Sequence, residues 1–309
     1  MSDTRPLLDA KLKDEVYGRH IDAPVVNTEK CIGCGECVRC CPTRVFELKV
    51  EKAMVAWGDA CIACGHCWAV CPTGAVTQSE VTTATEIVPG KEPAVSPEAL
   101  QLLLRERRSV RLFDDRPVSR EDLEKIINAG RYAPTGSNLQ DVNYSVVPNV
   151  HKVDRLRLLV DGFLTKLFEK VDSRLIGFLY SLRRGRKSLE ALRAYSKHFH
   201  YIRQRNDDCY IFLPRGAAVV LVHSPSLDDL GSFNCALAIY NGALMAHGLG
   251  LGTCFVGFLQ VGVNMSKPIK RFLNIPSDHT CHGAMVLGYP DLQYRRLIER
   301  TKPKVEWVE

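Results

Sequence analysis

From Gly231 to Ser266 the chain carries no Asp, Glu, Lys or Arg, and the apolar residues of Ser232–His247 recur at helical spacing. That stretch is long enough to cross a bilayer, but Asn234, Asn241, His247 and glycines at 242, 248, 250, 252, 257 and 262 interrupt it. The pattern predicts a buried central helix, broken at Gly248–Gly252 and followed by a core strand, with no membrane span. Upstream, Ser96-Pro97-Glu98 opens a helix through Leu104, with Ser96 as N-cap and Pro97 at the first helical position. Ser119 to Asn128 reads as a second helix, started by a Ser-x-x-Asp capping box and closed at Gly130. Asn143–Val147 and Ala217–Val222 are short β-branched runs read as strands, and 281–288 (CHGAMVLG) is another. Helices and strands in this order predict an α+β fold built in layers.

The patterning divides the chain. Residues 1–20 form a polar leader, with one helix expected around Leu7 to Tyr17; residues 21–80 hold an internal repeat of period 30, from Cys31 to Cys61. A Thr-, Pro- and Gly-rich linker follows at 81–96, and 97–309 form the larger domain. Within it, 151–206 is a basic helical insert with 14 Lys/Arg against 5 Asp/Glu, a local charge of +9 in a chain whose net charge is +6. Leu156, Leu159, Phe163 and Leu167 recur at helical spacing, so the insert is expected to be an amphipathic helical pair capping the core with a solvated basic face. The other readings of that face are docking of an acidic electron carrier or contact with anionic lipid. No nucleic-acid motif accompanies the charge, so no nucleic-acid partner is expected. With 309 residues, 46% apolar and 25% charged, the composition is that of an ordinary globular protein of two unequal domains.

The repeat carries chemistry. Its first copy reads Cys31-x2-Cys34-x2-Cys37-x3-Cys41-Pro42 and its second Cys61-x2-Cys64-x2-Cys67-x3-Cys71-Pro72. This is the run of bacterial two-cluster ferredoxins, in which the fourth cysteine ligates the other cluster. Three thiolates spaced three apart wrap three corners of a cubane, and the proline stops the loop from winding on. The expected ligand sets are therefore Cys31, Cys34, Cys37 and Cys71 around one [4Fe–4S] cluster, and Cys61, Cys64, Cys67 and Cys41 around a second. A zinc ribbon would use four of these eight cysteines, and disulfides would need an oxidising compartment for which no signal peptide is evident. A reducing, low-oxygen cytoplasm fits the thiol count. Cys40 stands opposite Val70 in the repeat and is expected to be a neighbour; Cys209, Cys235, Cys254 and Cys281 receive no chemistry.

Arg107, Arg108 and Arg111 flank Ser109 within five residues, a set of planar donors suited to phosphate. The loop 133–140 (APTGSNLQ) adds a glycine for close backbone approach and Ser, Asn and Gln side chains for a heterocycle. With RRSVRLFDDRPV at 107–118, YAPTGSNLQ at 132–140, LGLGTCFVGF at 249–258 and LGYPDLQYRRLIERTKPKVEW at 287–307, residues 97–309 resemble the nitroreductase family of flavin enzymes. Residues 21–80 resemble a two-cluster ferredoxin.

The resemblance implies an α+β sandwich with a small ferredoxin-like domain at the N-terminus, an intertwined homodimer and bound FMN. Arg107, Ser109 and Arg111 match the family's phosphate and ribityl contacts, with Arg108 alongside, and Arg300 and Lys302 match a second basic pair facing the phosphate. Pro134, Thr135, Gly136, Ser137 and Asn138, followed by Gln140, match the loop that reaches the partner subunit's flavin. Val256 and Gly257 match the segment against the flavin ring, where a backbone N–H meets N5. Asp141-Val142 replaces the Pro-aromatic pair that often follows the loop in this family. No nucleophile–base arrangement can be read from spacing, so hydride is expected to leave the flavin and the proton to come from solvent; Tyr132, Tyr240 and His247 read as structural. The expected activity is an FMN-dependent oxidoreductase, its electrons brought by an external ferredoxin-like carrier or NAD(P)H. It is expected to reduce a small nitro, quinone or activated-alkene substrate. The alternatives are substrate oxidation with electrons leaving through the clusters, and a non-catalytic redox module.

Overall fold

The protein was analysed as a computed structural model that describes residues 14, 15, 17–81, 90, 94–205, 212–225 and 230–309. Most of the expected leader helix and of the linker lies outside the described residues. The chain separates into two compact units: residues up to Glu92 together with Pro134–Asp141, and residues 93–133 with 142–309.

The first unit is short elements laid out twice. In chain order they are strand β1 (Val25–Val26), helix α1 (Glu36–Cys40), strands β2 (Phe46–Lys49) and β3 (Lys52–Val55), helix α2 (His66–Ala69) and strand β4 (Val76–Thr77). β1 pairs antiparallel with β4, joining the start of one repeat to the end of the other, and β2 with β3. Each short helix starts after a left-handed glycine, Gly35 at φ 74° and Gly65 at φ 73°, the conformation that lets the cysteine loop turn sharply into it. Apart from cysteines, the buried apolar set is small (Ile21, Val45, Phe46, Ala53, Ala63, Ala75, Val76 and Leu139), too little to stabilise a domain of this size alone.

The second unit is a four-stranded antiparallel sheet between helical layers. Its elements are α3 (Pro97–Glu106), α4 (Arg120–Arg131), β5 (Asn143–Val147), α5 (Val150–Asp172), α6 (Arg174–Arg184), α7 (Arg186–Arg205), β6 (Ala218–Pro225), α8 (Leu230–Gly248), β7 (Gly252–Phe255), α9 (Gly257–Met265), α10 (Lys267–Phe272) and β8 (His279–Gly288). The strand order is β5-β6-β8-β7. Side chains on β6 alternate faces: Val219 and Leu221 join α5, α9 and α10, whereas Ala218, Val220 and Val222 join α4 and α8. Both faces are covered, which is why this strand is apolar from Ala218 to Val222.

The capping expectations hold: Ser96 Oγ accepts from Ala99 N at 3.2 Å, and Ser119 Oγ from Asp122 N at 3.0 Å. Two details differ. α4 runs through Gly130 to Arg131, because Gly130 serves packing: a Cβ there would stand 2.5 Å from Tyr144 Oη and 3.0 Å from the Ala238 carbonyl. The basic insert is three helices where a pair was expected, divided at Ser173, whose backbone is extended, and at Gly185, φ 88°. Val153, Leu156, Val160, Leu164, Phe168 and Val171 line the buried face of α5. Phe168 packs against Phe199 with ring centroids 5.1 Å apart, and Phe212 against Phe258 at 4.8 Å. The charge-free stretch forms α8 and β7, and no described helix is long and apolar enough to cross a membrane.

Candidate functional site

The eight motif cysteines ring two small cavities in the first unit, each of about 20 Å³. One is lined by Cys31, Cys34, Cys37 and Cys71, the other by Cys61, Cys64, Cys67 and Cys41. Each set takes three thiols from one copy of the repeat and the fourth from the other. Among the described residues no group of three or more His, Cys, Asp or Glu is placed to hold a single metal ion. The sulfurs surround a space, the donor layout that a cubane with iron at its alternate corners needs and a lone zinc does not. Backbone N–H groups point at sulfur in register with the repeat: Val45 N lies 3.3 Å from Cys41 Sγ, and Ala75 N 3.2 Å from Cys71 Sγ.

These donors and burial work against each other. The Ala53 and Gly33 N–H groups hold the Cys31 thiol below its ordinary pKa. At Cys71 burial opposes, but the N–H groups of Val76, Thr73 and Ala75 prevail and the pKa falls. Burial pushes the Cys67 thiol up to about 12, so the charge of iron has to draw off that proton. Cys40, half-buried, turns its thiol to the Cys37 carbonyl at 3.6 Å and lines neither cavity.

In the second unit, residues 107–114 run beside the sheet. Val110 N donates to Thr253 O at 2.9 Å, and Ser109 bridges Thr253 in parallel register. Gly252 has to be glycine, since a Cβ would sit 2.6 Å from the Val110 side chain. Buried there without a hydrogen-bond partner are Arg107 Nε, Arg108 Nη2 and Thr253 Oγ1. Buried guanidinium nitrogens left this way are costly unless an anion meets them, so the donor set fits a phosphate. Thr253 escapes a reading of the sequence, because one threonine in an apolar strand gives no signal.

The Arg107 guanidinium lies 5.9 Å from the centre of the Tyr240 ring. Tyr240 also lines a groove of about 470 Å³, with Phe233 and Leu237 from α8, Phe255, Val256, Gly257 and Gln260 around the start of α9, and His282 and Gly283 from β8. That volume and mostly apolar wall suit a planar heterocycle. Val256 spends its N–H on Ala284 O at 2.9 Å, whereas the Gly257 N–H, in the first turn of α9, has no intrahelical carbonyl to bond.

The remaining expected contacts are dispersed. Arg111 donates to Ser109 O at 3.2 Å and lines a separate cavity with Asp114, Asp115 and Arg215. Arg300 and Lys302 lie on the exposed C-terminal segment, just beyond Glu299, which meets Arg105 at 2.9 Å. Pro134, Thr135, Gly136, Ser137, Asn138 and Gln140 belong to the first unit. There Asn138 Nδ2 donates to the Ile62 and Ala63 carbonyls, each at 2.9 Å.

With the Arg107–Thr253 corner and the groove in place, the relatives become informative. The model of the nitroreductase family matches residues 104–289, well over half of the chain. The chain belongs to the nitroreductase family. At the N-terminus the model of a 4Fe-4S dicluster domain matches residues 23–72. This nitroreductase-family oxidoreductase is 29% identical over 205 residues to a nitrobenzene nitroreductase of Ectopseudomonas oleovorans, covering 61% of this chain and 86% of that one. It is 57% identical over 30 residues to ferredoxin-2 of Desulfomicrobium norvegicum, covering 10% of this chain and 51% of that one. A nitroreductase of Bacteroides fragilis solved with bound FMN aligns over 68% of this chain and 98% of its own, at 23% identity and a TM-score of 0.49.

Proposed function

We propose that this nitroreductase-family enzyme binds FMN in the groove beside Val256–Gly257, carries two [4Fe–4S] clusters on its eight motif cysteines, and passes electrons between them. The observation that carries this is the presence, on one chain, of two four-cysteine cavities and a groove whose Tyr240 meets Arg107, a residue with a buried nitrogen that has no hydrogen-bond partner. An enzyme of this family that took hydride directly from NAD(P)H would have no use for clusters. The donor is therefore an external ferredoxin-like carrier, and the acceptor a small electrophile such as a nitro, quinone or activated-alkene compound. FMN supplies the exchange between one-electron and two-electron chemistry.

The chain's own part is binding and orientation. Arg107 and Arg108, with Ser109 and Thr253, hold the phosphate end; Arg300 and Lys302 add charge there. The Gly257 N–H is the donor available to the reactive edge of the ring, and Phe233, Leu237 and Phe255 exclude water from its face. By the family resemblance, Pro134–Asn138 and Gln140 serve the flavin of the partner subunit. A homodimer is supported by the apolar outer side of α8, where Phe233 is 62% exposed, and by the C-terminal segment, where Trp307 is 85% exposed. The clusters and the free thiols suit the reducing cytoplasm.

Anaerobic stopped-flow mixing tests this reading. A reduced ferredoxin-type carrier is expected to reduce the flavin through the clusters faster than NADPH does. Rapid direct reduction by NADPH, with none by the carrier, overturns it; net flow from a reduced substrate to oxidised carrier reverses its direction.

A further inference from the structure

Building on the function proposed above, we infer that Asn138, on the loop Pro134–Asp141, is a positioning residue for the cluster held by Cys61, Cys64, Cys67 and Cys41, and that it sets the potential of this cluster apart from that of the other. In sequence the loop is joined to α4 and β5, yet its contacts are with the cluster-bearing fold. The two carbonyls that receive Asn138 Nδ2, those of Ile62 and Ala63, are the only peptide carbonyls of the residues between the ligands Cys61 and Cys64. The backbone of the loop is tied to the same unit: Tyr17 Oη donates to Ser137 O at 3.0 Å, and Arg19 to Asn138 O at 3.4 Å and Leu139 O at 3.5 Å. Ser137, Asn138 and Gln140 reach this position only by adopting φ of 50°, 57° and 52°. Three non-glycine residues in that region carry strain, which persists where surrounding contacts enforce it.

The internal repeat supplies the comparison. Ile62-Ala63 corresponds to Ile32-Gly33, and Gln78 to Leu48. In the first copy a glycine occupies the left-handed position, φ 73°, packed against the Glu51 carbonyl. In the second copy Ala63 takes that conformation at φ 51°, against the preference of its Cβ. The second copy also places a buried amide at sulfur, with Gln78 Nε2 3.8 Å from Cys61 Sγ and 2.8 Å from Asp22 O. The Ala63 N–H donates to the same sulfur at 3.4 Å. By gripping the carbonyls of Ile62 and Ala63, Asn138 fixes the peptide that presents this N–H. Donors to sulfur favour the reduced, more negative cluster and raise its potential.

The test uses the full-length, anaerobically reconstituted holoprotein. Asn138→Leu removes the amide, Asn138→Asp places a carboxylate at the same distance, and Gln78→Leu gives the second copy the residue of the first. In potentiometric titrations followed by EPR, each is expected to lower the potential of one centre only. The shift is a threefold to tenfold change in its reduced-to-oxidised ratio, about 30–60 mV for a one-electron couple. Cys64→Ser, which perturbs the second-copy centre alone, identifies that signal. The inference is overturned if both potentials stay put, or if the centre that shifts is the one perturbed by Cys34→Ser. It is equally overturned if the Asn138 variants shed FMN with both centres unmoved. Failure of the wild-type clusters to deliver electrons to the flavin sinks the proposed function instead, and shows before any variant is made.

Discussion

Arg107 and Arg108 present buried nitrogens for which the fold supplies no acceptor, and this makes them the sharpest test of the phosphate site. Arg107→Ala is expected to weaken FMN about 10- to 100-fold, the worth of a charge-assisted hydrogen bond of roughly 1.5–3 kcal/mol. Adding Arg300→Ala should weaken it further, with iron content unchanged; flavin fluorescence titration and iron assay check both. His223 makes a different prediction. It is 4% exposed, with Nε2 3.2 Å from Ser145 Oγ and Nδ1 2.8 Å from His279 Nδ1. Burial first, then the charges of His279, Lys270 and His282, push its pKa down from the ordinary 6.5 to about 4. The native imidazole stays neutral where the unfolded chain takes up a proton, so stability is whole above 6.5 and drains away as pH falls toward about 4. Urea midpoints should drop across that window, by on the order of 2 kcal/mol, and His223→Gln should flatten the profile. The arginines were legible because three stand close in sequence; His223 and Thr253 were not, nor was the hold of Asn138 on Ile62 and Ala63, because what gives them meaning comes from distant segments.

At the level of elements, what the sequence declares is whatever depends on neighbours a few residues away. Ser96 and Ser119 announce their helices because a cap is a contact between residues three apart, and Ser119→Ala should cost about 1 kcal/mol in thermal unfolding. Gly130 misleads for the opposite reason. It looks like a stop, but it makes room for Tyr144 and for the backbone of α8, so Gly130→Ala should cost about 1–3 kcal/mol by crowding while leaving α4 its length by circular dichroism. The break at Ser173 carries no proline or glycine to mark it, and a helical pair became three helices. The crossed sharing of cysteines between the two copies has its own test. Cys41→Ser should damage the second-copy cluster and Cys71→Ser the first-copy one, each seen as loss of the opposite EPR signal.

Across the whole molecule the two units differ in what stabilises them. The second has a continuous apolar core on both faces of its sheet, whereas the first relies on cysteines at its centre. Chelating the iron should therefore unfold the first unit and leave the second folded, so that calorimetry loses the first unit's transition and keeps that of the second. The division into a cysteine-bearing unit and a layered unit followed from the repeat and the charge-free helix. That Pro134–Asp141 would side with the cysteines did not, because no local pattern encodes a contact spanning some 75 residues. The placement of the three tryptophans turns this architecture into an optical readout. Trp57 and Trp68 flank ligand cysteines, where iron quenches their emission, while Trp307 stands 85% exposed near the chain's end. Light emitted by a cluster-loaded protein is thus expected to come chiefly from a single indole, and a shift of its colour to the blue as concentration rises would report the proposed second copy covering it.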